Sequence, residues 1–433
     1  VSVYGCSYMV NREINFMNDK DTISSELYDA IVIGAGPSGN TAATELSSGG
    51  MKTLVLDQRD IIGDKLCTGI IGVECASVVP PRAELVYRSA SEVKVHSPNG
   101  TSHTLGDDTC HALIIDRVSY VQDMAKDAMQ SGADYLLGSR VDLINIDDSK
   151  VQVFGSSGER RFSFTARIVI LTGGFRTSLL NQVGLEKNKQ LDYLVGTQIR
   201  VKAHNLSHTN IYTGSDVSPG SFAWLVPTDG NDALLGGASR ERLNGRLDGL
   251  IDTLLTDGTI TEPISSAQNW GIPLKPIPRT FASRVLVAGD AAGFAKPTTG
   301  GGIYYAILSG KISAETALEA AVNGDFSDEK LSTYEKRWKE SFGNELRVGF
   351  YARLLYESLD DKSLNDLLEL FSSERVQEEL LLKEGFSFDR HASVIDKTIR
   401  NREISHTLKT LGPRAAGILG RLLKNVFLET VYR

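Results

Sequence analysis

An α/β fold, in which a parallel-sheet domain is interrupted by antiparallel strands and followed by helices, is predicted by three features of this 433-residue sequence. A strand, glycine turn, helix and strand follow one another from residue 28. A second buried strand runs into another glycine-rich turn near residue 290, and helical spacing dominates beyond about residue 303. Between the two turns lie short runs of alternating apolar and polar residues, as in an antiparallel sheet with one wet face.

The composition suits a globular chain of two or three domains, with 41% apolar and 23% charged residues. A net charge of −8 argues against a nucleic-acid partner, since phosphate binding needs a basic face. Cys6, Cys67, Cys75 and Cys110 show no metal-ligand spacing, and such sparse usage fits a reducing, cytoplasmic setting. Apolar stretches fall short of the ~20 residues a spanning helix needs. Residues 1–27 have neither a basic start nor an apolar core, so they read as a mobile tail rather than a secretory signal. Val3-Tyr4-Gly5-Cys6 is only a loose echo of a lipoprotein cleavage box.

In chain order, Tyr28 to Ile33 reads as a buried strand, residues 38–47 as a helix ending at Gly49-Gly50, and Met51 to Leu56 as a second strand. Residues 85–105 read as antiparallel strands with a turn at Pro98-Asn99-Gly100. A helix is expected over 117–131, with Val118, Val121, Met124, Ala125 and Ala128 on its apolar face. Strands follow near 140–146, 150–154 and 161–171, then several over 192–238, then one at 284–289.

Gly34-Ala35-Gly36-Pro37-Ser38-Gly39 fits G-x-G-x-x-G between a strand and a helix, the Rossmann arrangement for a dinucleotide. The first glycine permits the turn, the second admits a pyrophosphate to the backbone, and the third lets helix and strand pack. The diphosphate would sit on the helix N-terminus, where free N–H groups and the dipole favour negative charge. Asp57 ends the second strand about 20 residues further on, where a carboxylate accepts from ribose hydroxyls. This motif alone does not separate NAD from FAD.

The second turn, RVLVAGDAAGFAKPTTGGG from Arg284 to Gly302, makes that choice. Gly289-Asp290 at a strand end suits a ribityl hydroxyl, and Gly300-Gly301-Gly302 places a helix N-terminus toward the flavin edge that becomes anionic on reduction. Here the sequence resembles the FAD-dependent hydroxylase superfamily, with its p-hydroxybenzoate hydroxylase-like fold. The resemblance implies bound FAD and a phosphate contact for Arg117 at the start of its helix; an ordinary surface charge is the bland alternative. It also implies cofactor roles for Gln58, Val141, Thr172, Gly173 and Ile303. Thr172-Gly173-Gly174 stands where the hydroxylases carry an Asp-Gly pair, which argues against hydroxylase-type NAD(P)H handling.

Pro219-Gly220-Ser221-Phe222-Ala223-Trp224-Leu225-Val226-Pro227 resembles the P-x-x-Y-x-W-x-F-P signature of geranylgeranyl reductases, with Phe222 for the tyrosine and Val226 for the phenylalanine. Lys65-Leu66-Cys67-Thr68-Gly69-Ile70 resembles the segment in which that family places a cysteine near the isoalloxazine. The resemblance spans most of residues 28–330 and implies substrate contacts for Phe222, Trp224, Pro227 and Tyr304. Alternation puts the Phe222 and Trp224 rings on one side of a strand, where they suit an isoprenoid chain or simple core packing. Cys67 reads either as a proton donor beside the flavin or as an inert buried thiol. Residues 413–431 read as an interfacial amphipathic helix reaching a lipid or as a helix packed on the core or a dimer partner.

The expected layout is a tail at 1–27 and a discontinuous Rossmann-like FAD-binding domain of 28–88, 106–184 and 272–330. An inserted antiparallel β-sheet substrate domain takes 89–105 and 185–271, and a helical C-terminal region takes 331–433. The resemblance implies an enzyme that saturates C=C bonds of a polyprenyl lipid, its FAD reduced by NADPH or a ferredoxin, acting in the cytoplasm or at a membrane surface. A flavin monooxygenase or halogenase, and an electron-transfer or quinone-coupled flavoprotein, are the rival readings.

Overall fold

The computed structural model describes residues 22–23, 27–185, 191–243, 245–382, 386–409 and 416–423. Three sheets and a set of helices make up the described residues. The largest sheet carries the order Ser139–Ile146, Val151–Ser157, Arg160–Leu171, Leu27–Ile33, Thr53–Leu56, Asp134–Leu136. Its central four-strand part is parallel: Leu27–Ile33 pairs with Thr53–Leu56 on one side and with Arg160–Leu171 on the other. Val285–Val287 then pairs in parallel with the end of Arg160–Leu171, through Val169 opposite Val285. The ends of Leu27–Ile33 and Val285–Val287 thus reach one edge, and each feeds a glycine turn there. These strands read as continuous apolar runs because both faces are covered; residues 30–32 and 168–171 have no measurable exposure.

Three helices cover this sheet: Pro37–Ser48, Arg117–Gln130 and Ile303–Asn323. The first and third approach closely at Gly310, where a Cβ would lie 2.3 Å from the Ser38 carbonyl oxygen. Arg117–Gln130 is capped by Asp116, whose side chain accepts from Ser119 N. Its inward face differs from the expectation at one position. Val118 is 39% exposed, and Tyr120, donating to the Val79 carbonyl at 2.8 Å, takes the inward place.

The second sheet has the order Ile260–Pro263, Tyr193–Ala203, Asp232–Ser239, Phe222–Pro227, Thr209–Thr213, Glu92–His96, Ser102–Gly106, and Gln268–Pro273 also pairs with Tyr193–Ala203. The hairpin at 92–106 therefore joins strands more than a hundred residues away, through the parallel pair Thr209 and Val93. One face packs on the helix Arg246–Thr256 around Leu225, Leu235 and Leu250. The other faces the first domain. A small sheet of Ile70–Gly72, Ala112–Ile115 and Val86–Ala90 stands between the two.

The first core continues through Leu331, Tyr334, Trp338 and Phe342 to Leu346. A separate core then gathers Val348, Leu355, Leu367, Val376, Ile399 and Leu408 from the later helices. Of the 413–431 segment only 416–423 is described, as a helix whose Leu419 and Leu422 are buried in that later core. The tail before residue 22 lies outside the described residues. Among the described residues no helix is long and apolar enough to cross a membrane, and no acidic, histidine or cysteine cluster could hold a metal ion.

Candidate active site

The two glycine turns meet. Gly289, at φ +63°, sits so close to the first turn that a Cβ on it would lie 3.1 Å from Ser38 Cβ. Gly34, at φ +115°, is held against Thr172, and a Cβ there would fall 2.5 Å from the Thr172 carbonyl oxygen. The Thr172 hydroxyl bonds the carbonyls of Ile33 and Gly34 at 2.9 and 2.8 Å. This threonine therefore pins the turn from behind, a role that an ionised aspartate, able only to accept, could not fill. A Cβ on Gly39 would come within 1.8 Å of the Gly34 oxygen, so the third glycine is fixed by helix–strand packing. Asp57 ties the second strand to the same turn: Oδ2 accepts from Ala35 N at 2.7 Å and Oδ1 from Arg59 N at 2.8 Å. Each carboxylate oxygen keeps further acceptor capacity on the cavity side.

These turns open into a cavity of about 1720 Å³. A single small-molecule site occupies roughly 300–1,000 Å³, so this one has room for two occupants. Gly34, Gly36, Pro37, Ser38, Asp57, Gln58, Arg117 and Val141 line one end, and Gly173, Gly289, Asp290, the Gly300–Gly302 turn and Ile303 line its middle with Cys67. The other end is roofed by the second sheet, through Phe222, Trp224 and Val226 on one strand, with Ile211, Leu234, Trp270 and Ile272 beside them.

The first end fits FAD on three counts. A Cβ built on Gly36 meets nothing within 4 Å, so the backbone at the helix start is open to a close approach. Ser38 Oγ and Arg117 Nε, both buried and both on the cavity lining, have no hydrogen-bond partner among the described residues. The remainder of the Arg117 guanidinium donates to the Gly63 carbonyl and, at 2.6 Å, to the Lys65 carbonyl, which shapes the loop that carries Cys67. Buried polar atoms without partners are rare, and these two belong to the first residues of two helices, where free N–H groups and the dipole favour an anion.

Asp290 forms an ion pair with Lys65 that joins the second turn to the Cys67 loop. Cys67 is half-buried, and its sulfur accepts from Gly69 N at 3.5 Å. Two of the expected substrate contacts lie elsewhere. Pro227 follows Val226 on the strand, so alternation turns it to the opposite face, and it does not reach the cavity. Tyr304 also stays off the cavity, its hydroxyl accepting from Arg390 at 3.2 Å beneath the C-terminal segment.

That segment was not singled out from the sequence, yet it completes the wall. Phe386 and Phe388 line the cavity, and Asp389 behind them accepts from Cys75 N at 2.8 Å and Gly72 N at 3.3 Å. Lys296 runs under the Gly triplet: a Cβ on Gly301 would lie 2.9 Å from its Cε. Its ammonium donates to the Phe388 carbonyl, lies 4.0 Å over the Phe388 ring and stands 4.0 Å from Asp389 Oδ1. Burial pulls this lysine down to about 8 even with Asp389 alongside. His391 bonds Thr298 Oγ1 at 2.6 Å through Nδ1, and burial, with Lys296 adding to it, lowers the imidazole to about 3. A Lys in a Gly-rich turn and an Asp-Arg-His run in a late helical region carry no local pattern that pairs them.

Residues 82–306 match the model of the FAD dependent oxidoreductase family, and residues 32–66 match that of an NAD(P)-binding Rossmann-like domain. The chain belongs to the FAD dependent oxidoreductase family. It is 27% identical over 356 residues to digeranylgeranylglycerophospholipid reductase 1 of Methanococcoides burtonii, covering 78% of this chain and 86% of that one. The digeranylgeranylglycerophospholipid reductase of Methanocaldococcus jannaschii is 28% identical over 363 residues, covering 80% and 90%. A geranylgeranyl bacteriochlorophyll reductase-like protein of Thermoplasma acidophilum has the same fold, with a TM-score of 0.78 at 22% identity, over 90% of this chain and all of that one. A p-nitrophenol 4-monooxygenase of Pseudomonas putida is more distant, at a TM-score of 0.66 and 16% identity over 84% and 97%. The likeness to reductases of geranylgeranyl lipids, first read from two short motifs, thus extends over most of the chain, which is an FAD-dependent oxidoreductase.

Proposed function

We propose that the chain saturates C=C bonds of a polyprenyl lipid, with FAD seated on the two glycine turns and the prenyl chain lying along the aromatic face of the second sheet. The carrying observation is the single cavity that joins the dinucleotide cradle to a roof of Phe222, Trp224, Val226 and Trp270. An isoprenoid chain offers area and almost no hydrogen bonds, and this roof offers the same. The named activity of the relatives supports the reading.

Bound and reduced, FAD supplies a hydride to one alkene carbon. The second hydrogen arrives as a proton, and Cys67 Sγ stands on the cavity wall beside the middle turn to deliver it. Asp290, braced by Lys65, and the N-terminus of Ile303–Asn323 would hold the cofactor at the same turn. Phe386 and Phe388 exclude water from the reacting alkene. The reducing equivalents come from outside, from NADPH or a ferredoxin, and the lipid reaches the cavity from a membrane surface.

The test is anaerobic incubation of the dithionite-reduced, FAD-loaded protein with a geranylgeranyl lipid, followed by mass spectrometry. Saturated product, gaining two hydrogens per bond, is expected. Unchanged lipid, together with hydroxylated or halogenated aromatic product once oxygen is admitted, would sink the reading.

A further inference from the structure

Asp290 and the Gly300–Gly302 turn meet at the N-terminus of Ile303–Asn323. A Cβ on Gly302 would lie 3.0 Å from Asp290 Oδ1, whereas the φ of −118° at this residue is open to any side chain. The glycine is therefore required by the nearness of the carboxylate. No side chain caps this 21-residue helix, and its first turn holds no acidic residue. Its unpaired N–H groups and dipole place about half a positive charge at the turn. Asp290 brings a full negative charge to the same place, so these two alone would leave the turn negative.

Lys65 reverses that sign. Its ammonium pairs with Asp290, and both residues line the cavity with side chains 33% and 20% exposed. The lysine arrives on a loop held independently of this pair, since Arg117 donates to the Lys65 carbonyl at 2.6 Å. No second ion pair engages either partner among the described residues. Lys296 lies beneath Gly301, but Asp389 stands 4.0 Å from its ammonium and balances it. The turn thus carries about half a positive charge with Lys65 and about half a negative one without it.

FAD reduced by two electrons and one proton gains a negative charge, and charge near its ring nitrogens sets how readily this happens. A positive turn favours the reduced cofactor, and a negative one favours the oxidised cofactor. We infer that Lys65 is the counter-ion that sets the reduction potential of bound FAD, by cancelling Asp290 and leaving the N-terminus of Ile303–Asn323 unopposed. The inference rests on FAD seated at the two glycine turns and is independent of which substrate is reduced.

Anaerobic titration of the FAD-loaded protein against redox dyes measures the midpoint potential. Lys65→Met should retain FAD and lower the reduced-to-oxidised ratio at a fixed potential at least tenfold, ~30 mV for a two-electron couple. Lys65→Arg should keep the potential of the unsubstituted protein, and Lys65→Glu should fall below Lys65→Met. Adding Asp290→Asn to Lys65→Met should bring the potential back, although the ion pair is gone; a lysine that only braced its loop would leave it low. The charge series decides even where that double variant loses its flavin. A potential that ignores charge along the series overturns the inference. Loss of FAD from Lys65→Met does so too, because a counter-ion tunes a cofactor that other residues hold. A chain that takes up no FAD at all overturns the cofactor site together with this role. Shifts as expected without reduction of any prenyl lipid would uphold Lys65 and sink the substrate reading alone.

Discussion

Lys296 Nζ and Asp389 Oδ1 stand 4.0 Å apart with both side chains buried, and they fasten the turn beneath Gly300, Gly301 and Gly302 to the segment that supplies Phe386 and Phe388. Removing one partner of such a pair leaves an uncompensated interior charge, at a cost of about 3–5 kcal/mol. Asp389→Ala should therefore lower the urea midpoint strongly. Lys296→Met combined with Asp389→Asn should lose clearly less than the two single losses added together, because the residues share one interaction. Strict additivity in the denaturation curves would show that the pair is not coupled.

Acidification should weaken the fold through His391. Its folded imidazole, held at about 3 by burial, stays neutral while the unfolded one takes up a proton near 6.5. Between those values the unfolded chain binds more protons, so stability falls as pH drops from 6.5 toward 3, by up to about 1.4 kcal/mol per pH unit for this group. His391→Asn should give a shallower slope in urea titrations across that window. Lys296 acts in the alkaline range: its folded value of about 8 lies below the ordinary 10.5, so stability rises with pH between them. Lys296→Met should remove that rise.

Gly36 and Gly39 should separate cofactor binding from folding. A Cβ at Gly36 touches nothing in the protein and lies in the open cradle. Gly36→Ala should leave the melting temperature of the FAD-free chain almost unchanged while weakening FAD binding at least tenfold, about 1.4 kcal/mol. Gly39→Ala would place its Cβ 1.8 Å from the Gly34 oxygen and should fail to fold. Flavin fluorescence titration and thermal melts together check both; undiminished FAD affinity in Gly36→Ala would remove the cradle from this turn.

Trp224 lies over Gly236, and Trp270 lies over Gly196, where a Cβ would be 2.7 Å from the indole. Gly196→Ala should therefore displace Trp270, cost about 1–3 kcal/mol by overpacking, and red-shift the tryptophan emission. An unaltered spectrum would mean that the ring has space to spare.

The glycine-turn end of the cavity was legible because its determinants are local. The turn Gly34 to Gly39 needs its glycines for contacts made within a few residues, and the strand and helix around it announce themselves by period. The aromatic end of the cavity was legible only through alternation. That rule placed Phe222 and Trp224 together, and the same rule turns Pro227 away, against the role carried over from the motif. Tyr304 failed for a related reason: its helix start reaches the cavity at Ile303 and Ala306, and Tyr304 itself faces Arg390. Lys296 with Asp389, and Lys65 with Asp290, are ion pairs between distant segments, and nothing in a linear pattern selects one charged residue among 46 basic and 54 acidic ones.

The Phe386–Phe388 wall bears on biosynthesis. The nucleotide cradle opens at residue 34, its second half arrives near residue 290, and the last side of the chamber comes only at 386–388. A ribosome thus passes both glycine turns before the residues that close the chamber are made, and until then the aromatic roof of Trp224 and Trp270 lacks this part of its cover. Chains stalled before that point are natural clients for chaperones.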